Sequence, residues 1–182
     1  ILDHSQSVAL ITDRAHAESA LLLRGEIERL ELLIGVETIE AAGVTPYEEI
    51  IAGGSPAEPN AEGLDENGLV VLMYTGGTTG LPKGILHAHR DYPLTAQLWG
   101  ADVLGLTPDD RTFSVAKLFF TFGLGGNLLF PWYVGASVVL YPGSPRHAPD
   151  VLAAIDRYRP TVLYNAPTGY ASMLAVPDFE ST

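Results

Sequence analysis

The sequence contains no cysteine. Disulfides, thiolate metal sites and thiol nucleophiles are therefore excluded, and the composition fits a reducing compartment, so a cytoplasmic location is expected. Positive charge is scarce as well. Ten Lys and Arg stand against 22 Asp and Glu, for a net charge of −12. No basic stripe is present to displace the counterions of a nucleic-acid backbone, so no nucleic-acid partner is expected. The deficit is uneven: residues 1–68 hold 14 acidic residues against 3 arginines, whereas residues 69–182 hold 8 against 7 basic ones. A solvated acidic surface is the plain reading of the first third. The opening ILDHSQSVALITD has no initiator methionine, no basic stretch before an apolar run and no small-residue cleavage site, and reads as a cut inside a longer chain. Leu118 to Tyr141 offers 24 residues without a charge, long enough on paper to cross a bilayer. It is broken by Gly123, Gly125, Gly126, Asn127, Pro131 and Gly135 and ends in the strand-like SVVLY. A buried helix followed by a buried strand is expected instead, and no membrane partner.

What is present is apolar material for a core: 47% of the 182 residues are hydrophobic, enough for one domain, or one domain and part of another. Strands are expected at Val8–Thr12, Leu30–Val36, Leu69–Met73, Ile85–His89, Thr112–Val115, Ser137–Tyr141 and Thr161–Tyr164. Helices are expected at Arg14–Arg24, Arg90–Leu104 with Gly105 as stop, Phe122–Val134, Pro149–Tyr158 with Pro160 as stop, and Pro167–Leu174. This alternation predicts an α/β fold, a mainly parallel sheet flanked by helices. The Gly, Pro, Asn and Glu-rich stretch Gly53–Gly68 is the clearest loop. It divides residues 1–68, an acidic α/β segment, from residues 69–182, the segment that carries the chemistry, both within one larger domain.

That chemistry centres on YTGGTTGLPKG, Tyr74 to Gly84, directly after the apolar run Leu69–Met73. A strand feeding a glycine-rich turn presents backbone N–H groups to an anion. Threonine hydroxyls add rotatable donors and Lys83 one flexible point charge, while Pro82 restrains the backbone before it. Polyphosphate binding is implied. The Walker A pattern G-x-x-x-x-G-K-[ST] does not fit, because Lys83 precedes Gly84 and no Ser or Thr follows to hold magnesium. The dinucleotide fingerprint G-x-G-x-x-G is absent from the loop. The plain alternative is a Gly/Thr turn on a sheet edge, in which each threonine bonds its own loop.

The ordered string resembles the phosphate-loop signature of the adenylate-forming superfamily, usually YTSGTTGxPKG, with Gly76 standing where that family most often has serine. AKLFFTFGLGGNLLFPWYVGASVVLY and RPTVLYNAPTGYASML are similar to segments of benzoate-CoA and related aryl-CoA ligases, and ILDHSQSVALITD resembles the helix end and strand that precede the loop there. The resemblance implies an incomplete part of the large N-terminal domain of an adenylate-forming enzyme. It further implies that the parent is an acid-thiol ligase. In such enzymes a carboxylate attacks the α-phosphate of ATP, giving an acyl-adenylate and pyrophosphate, and a thiol then displaces AMP. It implies ATP, Mg2+ and a thiol acceptor, coenzyme A or a carrier protein, and a small-molecule acid that is aromatic and benzoate-like or, as the alternative, cyclic aliphatic or medium-chain; a non-catalytic nucleotide-binding module that kept the loop is the other reading. Thr75, Gly76, Gly77, Thr78, Thr79, Gly80 and Lys83 would hold the phosphates. The magnesium-binding glutamate, the ribose-binding aspartate and the catalytic lysine would lie beyond Thr182, so the segment alone is expected to be inactive.

For the acid, the resemblance points to Phe119, Phe120, Thr121, Phe122 and Gly123, with Tyr164, Ala166 and Pro167 at a strand end facing the same cleft. Phe119, Phe120, Phe122 and Phe130 at near-helical spacing equally suit plain core, as does Tyr164. Phenylalanine at position 120, where many acyl-CoA synthetases have histidine, favours the benzoate-type subgroup. Lys117 reads either as an attractor of carboxylate or phosphate or as a surface cation. His87 and His89, two apart on one strand face, have geometry a metal could use; with no third ligand nearby in sequence, no metal site is expected. A segment that lacks the neighbours covering its sheet exposes apolar surface, so self-association as a homo-oligomer is expected.

Overall fold

The computed structural model describes residues 1–37, 39–76 and 80–177. The chain forms two compact units, Ile1–Leu64 with Leu72–Leu86, and Asp65–Val71 with His87–Thr182. The described motif residues Tyr74–Gly76 and Gly80–Gly84 thus belong to the unit that holds the N-terminus, and the Phe119–Gly123 segment to the other.

In the first unit, β1 (Ala9–Thr12), α1 (Ala17–Glu26) and β2 (Leu32–Gly35) make a strand–helix–strand unit, and β3 (Val44–Pro46) adds a third strand. All pair in parallel, with Leu10 opposite Leu33 and Leu33 opposite Val44. Parallel pairing requires a crossover, which α1 supplies between β1 and β2. Its buried Ala20 meets Leu30 and Leu33, and Leu2, Leu10, Leu21, Ile27 and Val44 pack around them. A short helix α2 (Tyr47–Gly53) follows Pro46, with Glu48 and Glu49 in its first turn, where acidic side chains suit the dipole. It carries no buried residue. β3 and α2 were not among the expected elements, because a helix without a buried face has no apolar stripe to show in sequence.

β4 (Leu69–Thr75) pairs with β5 (Lys83–Ala88) as a two-stranded sheet. β5 starts two residues earlier than its apolar run suggested, which makes Lys83 its first residue.

In the second unit, β6 (Arg111–Ser114) lies between β7 (Ser137–Val139) and β8 (Val162–Tyr164), again in parallel, with Thr112 opposite both Val138 and Val162. A central strand covered on both faces is buried on both, and Thr112 and Phe113 are fully buried. Helix α6 (Ala148–Tyr158) presents Ala148, Val151, Leu152 and Ile155 at i, i+3, i+4 and i+7. That stripe packs with Phe113, Val115 and Val139, joined by Met173 from α7 (Pro167–Leu174). Burying a side chain such as Phe113 or Val151 contributes about 1.5–3 kcal/mol.

Two longer helices complete this unit. α3 (Asp91–Thr95) continues as a widened π-helical stretch through Val103. α4 (Thr121–Leu124) passes through a π-helical turn, Gly125–Leu129, into α5 (Phe130–Val134). Gly135 ends α5 at φ 82°, and its N–H and that of Ala136 bond back to the carbonyls of Trp132 and Pro131. That left-handed cap is open to glycine at little steric cost. The uncharged stretch Leu118–Tyr141 is thus helix and strand; among the described residues no helix is long and apolar enough to cross a membrane.

Candidate active site

The phosphate-loop region is built by β4 and β5. Thr75 closes β4 and Gly76 follows; Gly77, Thr78 and Thr79 lie outside the described residues. Gly80 has φ 148°, a conformation that a side chain would strain. Leu81 is 88% exposed, and the exposed Lys83 ammonium has neither an ion-pair nor a hydrogen-bond partner among the described residues. Gly84 admits the β4 side chains, since a Cβ there would lie 2.9 Å from Leu72 Cδ1. One contact had no signal in the sequence: the Tyr74 hydroxyl is 2.6 Å from His4 Nδ1, and the two rings meet edge-on at 5.7 Å. The N-terminal segment thereby holds the residue that opens the motif. Around Gly76 no described atom lies within 4 Å of an added Cβ, so its backbone does not itself require glycine.

The second unit holds a cavity of about 460 Å³ lined by Trp99, Thr121, Phe122, Gly125, Gly126, Phe130 and Tyr164. Phe122 and Tyr164 meet edge-on, 6.0 Å between centroids and 89° between planes. Glycine is needed at two places on the floor: a Cβ at Gly126 would lie 2.8 Å from the Tyr164 ring and one at Gly125 2.9 Å from the Phe130 ring. The Tyr164 hydroxyl is buried with no hydrogen-bond partner among the described residues. Burial first, and the charge of Asp110 second, push its pKa above the ordinary phenol value. Walls of this kind suit a flat ring, because aromatic contacts supply area with preferred edge and face geometry.

Of the residues expected to bind acid, Thr121, Phe122 and Tyr164 are brought together on this cavity. Phe119 and Phe120 are not: they are 74% and 57% exposed and pack on each other at 4.5 Å. The backbone at Phe120 is extended, φ −92° and ψ 138°, and the helix starts only at Thr121. Gly123 is buried beneath the pocket loop, where a Cβ would lie 2.2 Å from the Lys117 carbonyl oxygen. Ala166 caps α7 and Pro167 occupies its first turn. Trp99, Gly125, Gly126 and Phe130 were not singled out as acid-binding. The glycine pair in a buried helix was a readable signal for a close approach; Trp99, from a different helix, had none.

His87 stacks on Tyr92 with centroids 6.2 Å apart, and its Nδ1 lies 3.7 Å from the Asp91 carboxylate. His89 falls beyond the end of β5. Among the described residues no cluster of three or more His, Asp or Glu side chains could hold a metal ion, so these residues do not by themselves fit the magnesium that the family implies. Asp110 accepts the Thr107 N–H at 2.8 Å, the Thr161 hydroxyl at 2.7 Å and the Thr107 hydroxyl at 3.0 Å. These bonds, the Thr107 N–H foremost, hold its carboxyl below the usual carboxylate range.

Comparison with known proteins bears on both regions. The chain is 36% identical to the benzoate–CoA ligase of Thauera aromatica over 183 residues, which cover 98% of the chain and 33% of that enzyme. Among solved structures it is similar to the anthranilate CoA ligase AuaEII in complex with anthranoyl-AMP, at 48% identity and a TM-score of 0.92, over 98% of this chain and 34% of that one. It is similar also to a benzoate CoA ligase from Burkholderia xenovorans, at 32% identity and a TM-score of 0.80, over 98% and 34% of the two chains. The chain thus spans about a third of the length of the relatives it matches. Its parallel α/β layers are those of part of an adenylate-forming enzyme. The family model described as AMP-binding enzyme matches residues 1–182, and the chain belongs to that family.

Proposed function

We propose that the full-length protein activates an aromatic carboxylic acid with ATP, forming an acyl-adenylate and pyrophosphate, and then transfers the acyl group to the thiol of coenzyme A with release of AMP. The observation that carries this reading is the cavity walled by Trp99, Phe122, Phe130 and Tyr164 and floored by Gly125 and Gly126. Its aromatic walls and glycine floor suit a flat ring. The names of the similar proteins, benzoate and anthranilate CoA ligases, support the same acid class.

In this reading the pocket binds and orients the ring, with the Thr121 hydroxyl as a polar element on an otherwise aromatic and glycine-rich lining. The loop from Thr75 through Gly76, Gly77, Thr78, Thr79 and Gly80 to Lys83 stabilises the departing pyrophosphate. Negative charge grows on that leaving group in the transition state, and donors and a cation already in place lower the barrier. The protein acts in the cytoplasm, and the many exposed apolar side chains, Leu86 and Leu98 among them, support self-association of the isolated chain; a stable monomer in sedimentation at high concentration would count against that.

The test is acid-dependent exchange of labelled pyrophosphate into ATP by the full-length protein over a panel of benzoates, aminobenzoates, cyclic acids and medium-chain acids. Exchange with aromatic acids is expected. No exchange with any acid would sink the ligase reading. Strong exchange that survives Lys83→Ala and Thr78→Ala together would sink the loop assignment.

A further inference from the structure

Lys117 lies in the loop between β6 and α4, outside the lining of the aromatic cavity. It lines a separate cavity of about 460 Å³ with Ser114, Asn127 and Tyr141, and its ammonium is taken up by backbone carbonyls. Nζ donates to the carbonyl oxygens of Tyr141 and, at 2.6 Å, Gly143, and sits 4.7 Å from the centroid of the Tyr141 ring. No carboxylate pairs with it among the described residues. The receiving loop is tightly folded, for a Cβ on Gly143 would lie 2.4 Å from the Tyr141 ring. The side chain is partly buried, and that desolvation draws its pKa below the usual lysine value. A charge kept half-buried without a counter-ion costs stability that an apolar side chain of similar length would not. What the charge adds is direction: two carbonyls and a ring face define one position for the ammonium.

The backbone of the same residue is the seat of the pocket helix. The Lys117 carbonyl accepts the Phe120 N–H at 3.0 Å, and the carbonyls of Ala116 and Lys117 would lie 2.5 and 2.2 Å from a Cβ on Gly123. On the other side Val115 donates to the Tyr164 carbonyl at 3.0 Å and the Ser114 hydroxyl to the Ala116 carbonyl at 2.9 Å. Residues 114–117 are therefore held at both ends, and Thr121 and Phe122 are carried directly on them.

We propose that Lys117 is a positioning residue for the acid site: by clamping the 114–117 backbone to the Tyr141–Gly143 loop it fixes where Thr121 and Phe122 stand in the cavity, and so sets affinity for the acid without touching it. The proposal rests on the acid-activation reading given above. The experiment uses the full-length protein with Lys117→Met, which keeps length and removes the donors, and Lys117→Arg, which keeps a cation. Pyrophosphate exchange gives KM for benzoate, for 2-aminobenzoate and for ATP, and amide hydrogen exchange read by mass spectrometry reports residues 115–124 without any substrate.

For Lys117→Met, amide exchange over 115–124 is expected to speed up about tenfold, as loss of bonds to a charged group allows. KM for the acids should rise about tenfold or more, since small misplacements reach the pocket, while KM for ATP stays within about twofold. Lys117→Arg should recover part of both effects. Unchanged amide exchange over 115–124 overturns the proposal. So does a parallel rise in KM for acid and ATP, or a fall in kcat with both KM values unchanged. A wild-type protein without acid-dependent exchange refutes the ligase reading instead, and the amide-exchange comparison then upholds or overturns the clamp by itself.

Discussion

Replacing Gly123 by alanine tests how tightly the pocket helix is seated. The added Cβ would lie 2.2 Å from the Lys117 carbonyl oxygen, 2.5 Å from that of Ala116 and 2.7 Å from the Lys117 carbonyl carbon. The first is about 0.8 Å inside the 3.0 Å limit that real Cβ atoms essentially never cross. All three neighbours are backbone, so no rotamer change relieves the contact. Overpacking costs about 1–3 kcal/mol where side chains can yield, and a rigid seat puts the cost near the upper end, about 3 kcal/mol. Alanine's better helix propensity returns about 1 kcal/mol. The net is a loss of about 2 kcal/mol, read as a fall of about 1 M in the urea midpoint for a slope near 2 kcal/mol/M. The control is Gly25→Ala in α1, where no described atom lies within 4 Å of the new Cβ. Only the propensity and entropy gain remains there, about 0.5–1 kcal/mol of added stability. Circular dichroism during urea titration of the chain measures both. A Gly123→Ala midpoint equal to or above that of the unmodified chain would refute the reasoning, as would a Gly25→Ala shift of the same sign and size.

Asn127→Ala should destabilise the chain by about 2–4 kcal/mol in the same titration: it removes the acceptor of the fully buried Thr112 hydroxyl and a donor to the Val139 carbonyl, each at 2.9 Å. Arg159 holds a left-handed φ of 47° at the end of α6, beside only an exposed 2.7 Å ion pair with Asp156. Arg159→Gly keeps the backbone cap and should raise stability by about 0.5–1 kcal/mol, seen as a higher thermal midpoint. Asp110 has a folded-state pKa below its unfolded value of 3.8, so its contribution is complete above that value and is lost as pH falls through the folded one. Asp110→Asn should therefore flatten the acid limb of the stability curve below pH 3.8, measured as urea midpoints at stepwise lower pH; an unaltered slope would refute the assignment. Gly76→Ser, entering space free of described atoms, should leave the melting temperature within about 1 °C and speed pyrophosphate exchange by the full-length protein.

Much of the fold was readable because burial leaves a pattern. β7 and β8 are short apolar runs that follow Gly135 and Pro160, and α6 shows its stripe from Ala148 to Ile155. β3 and α2 were not readable, for α2 buries nothing and its seven residues leave no periodicity. The candidate site was legible in its chemistry and less so in its geometry. A glycine, threonine and lysine string has the composition expected of an anion loop, and an aromatic cluster next to glycines that of a close-packed aromatic cavity. Which of those aromatics lines the cavity is a matter of where the helix begins. Had it begun at Phe119, the periodicity would have grouped Phe119, Phe122 and Gly123 on one face. The extended backbone at Phe120 starts it at Thr121 instead, and the π-helical turn at Gly125 and Gly126 then swings Phe130 back to the same cavity as Phe122. The start at Thr121 has no local marker in residue type, whereas the glycine pair marks the close approach but not the π-helical turn. Both follow from contacts made elsewhere: the seat of Gly123 on the Ala116–Lys117 carbonyls and the fit of Gly126 against Tyr164. Those two contacts select the aromatic residues that line the cavity, which is why Phe122 lines it and the more conspicuous Phe119–Phe120 pair does not.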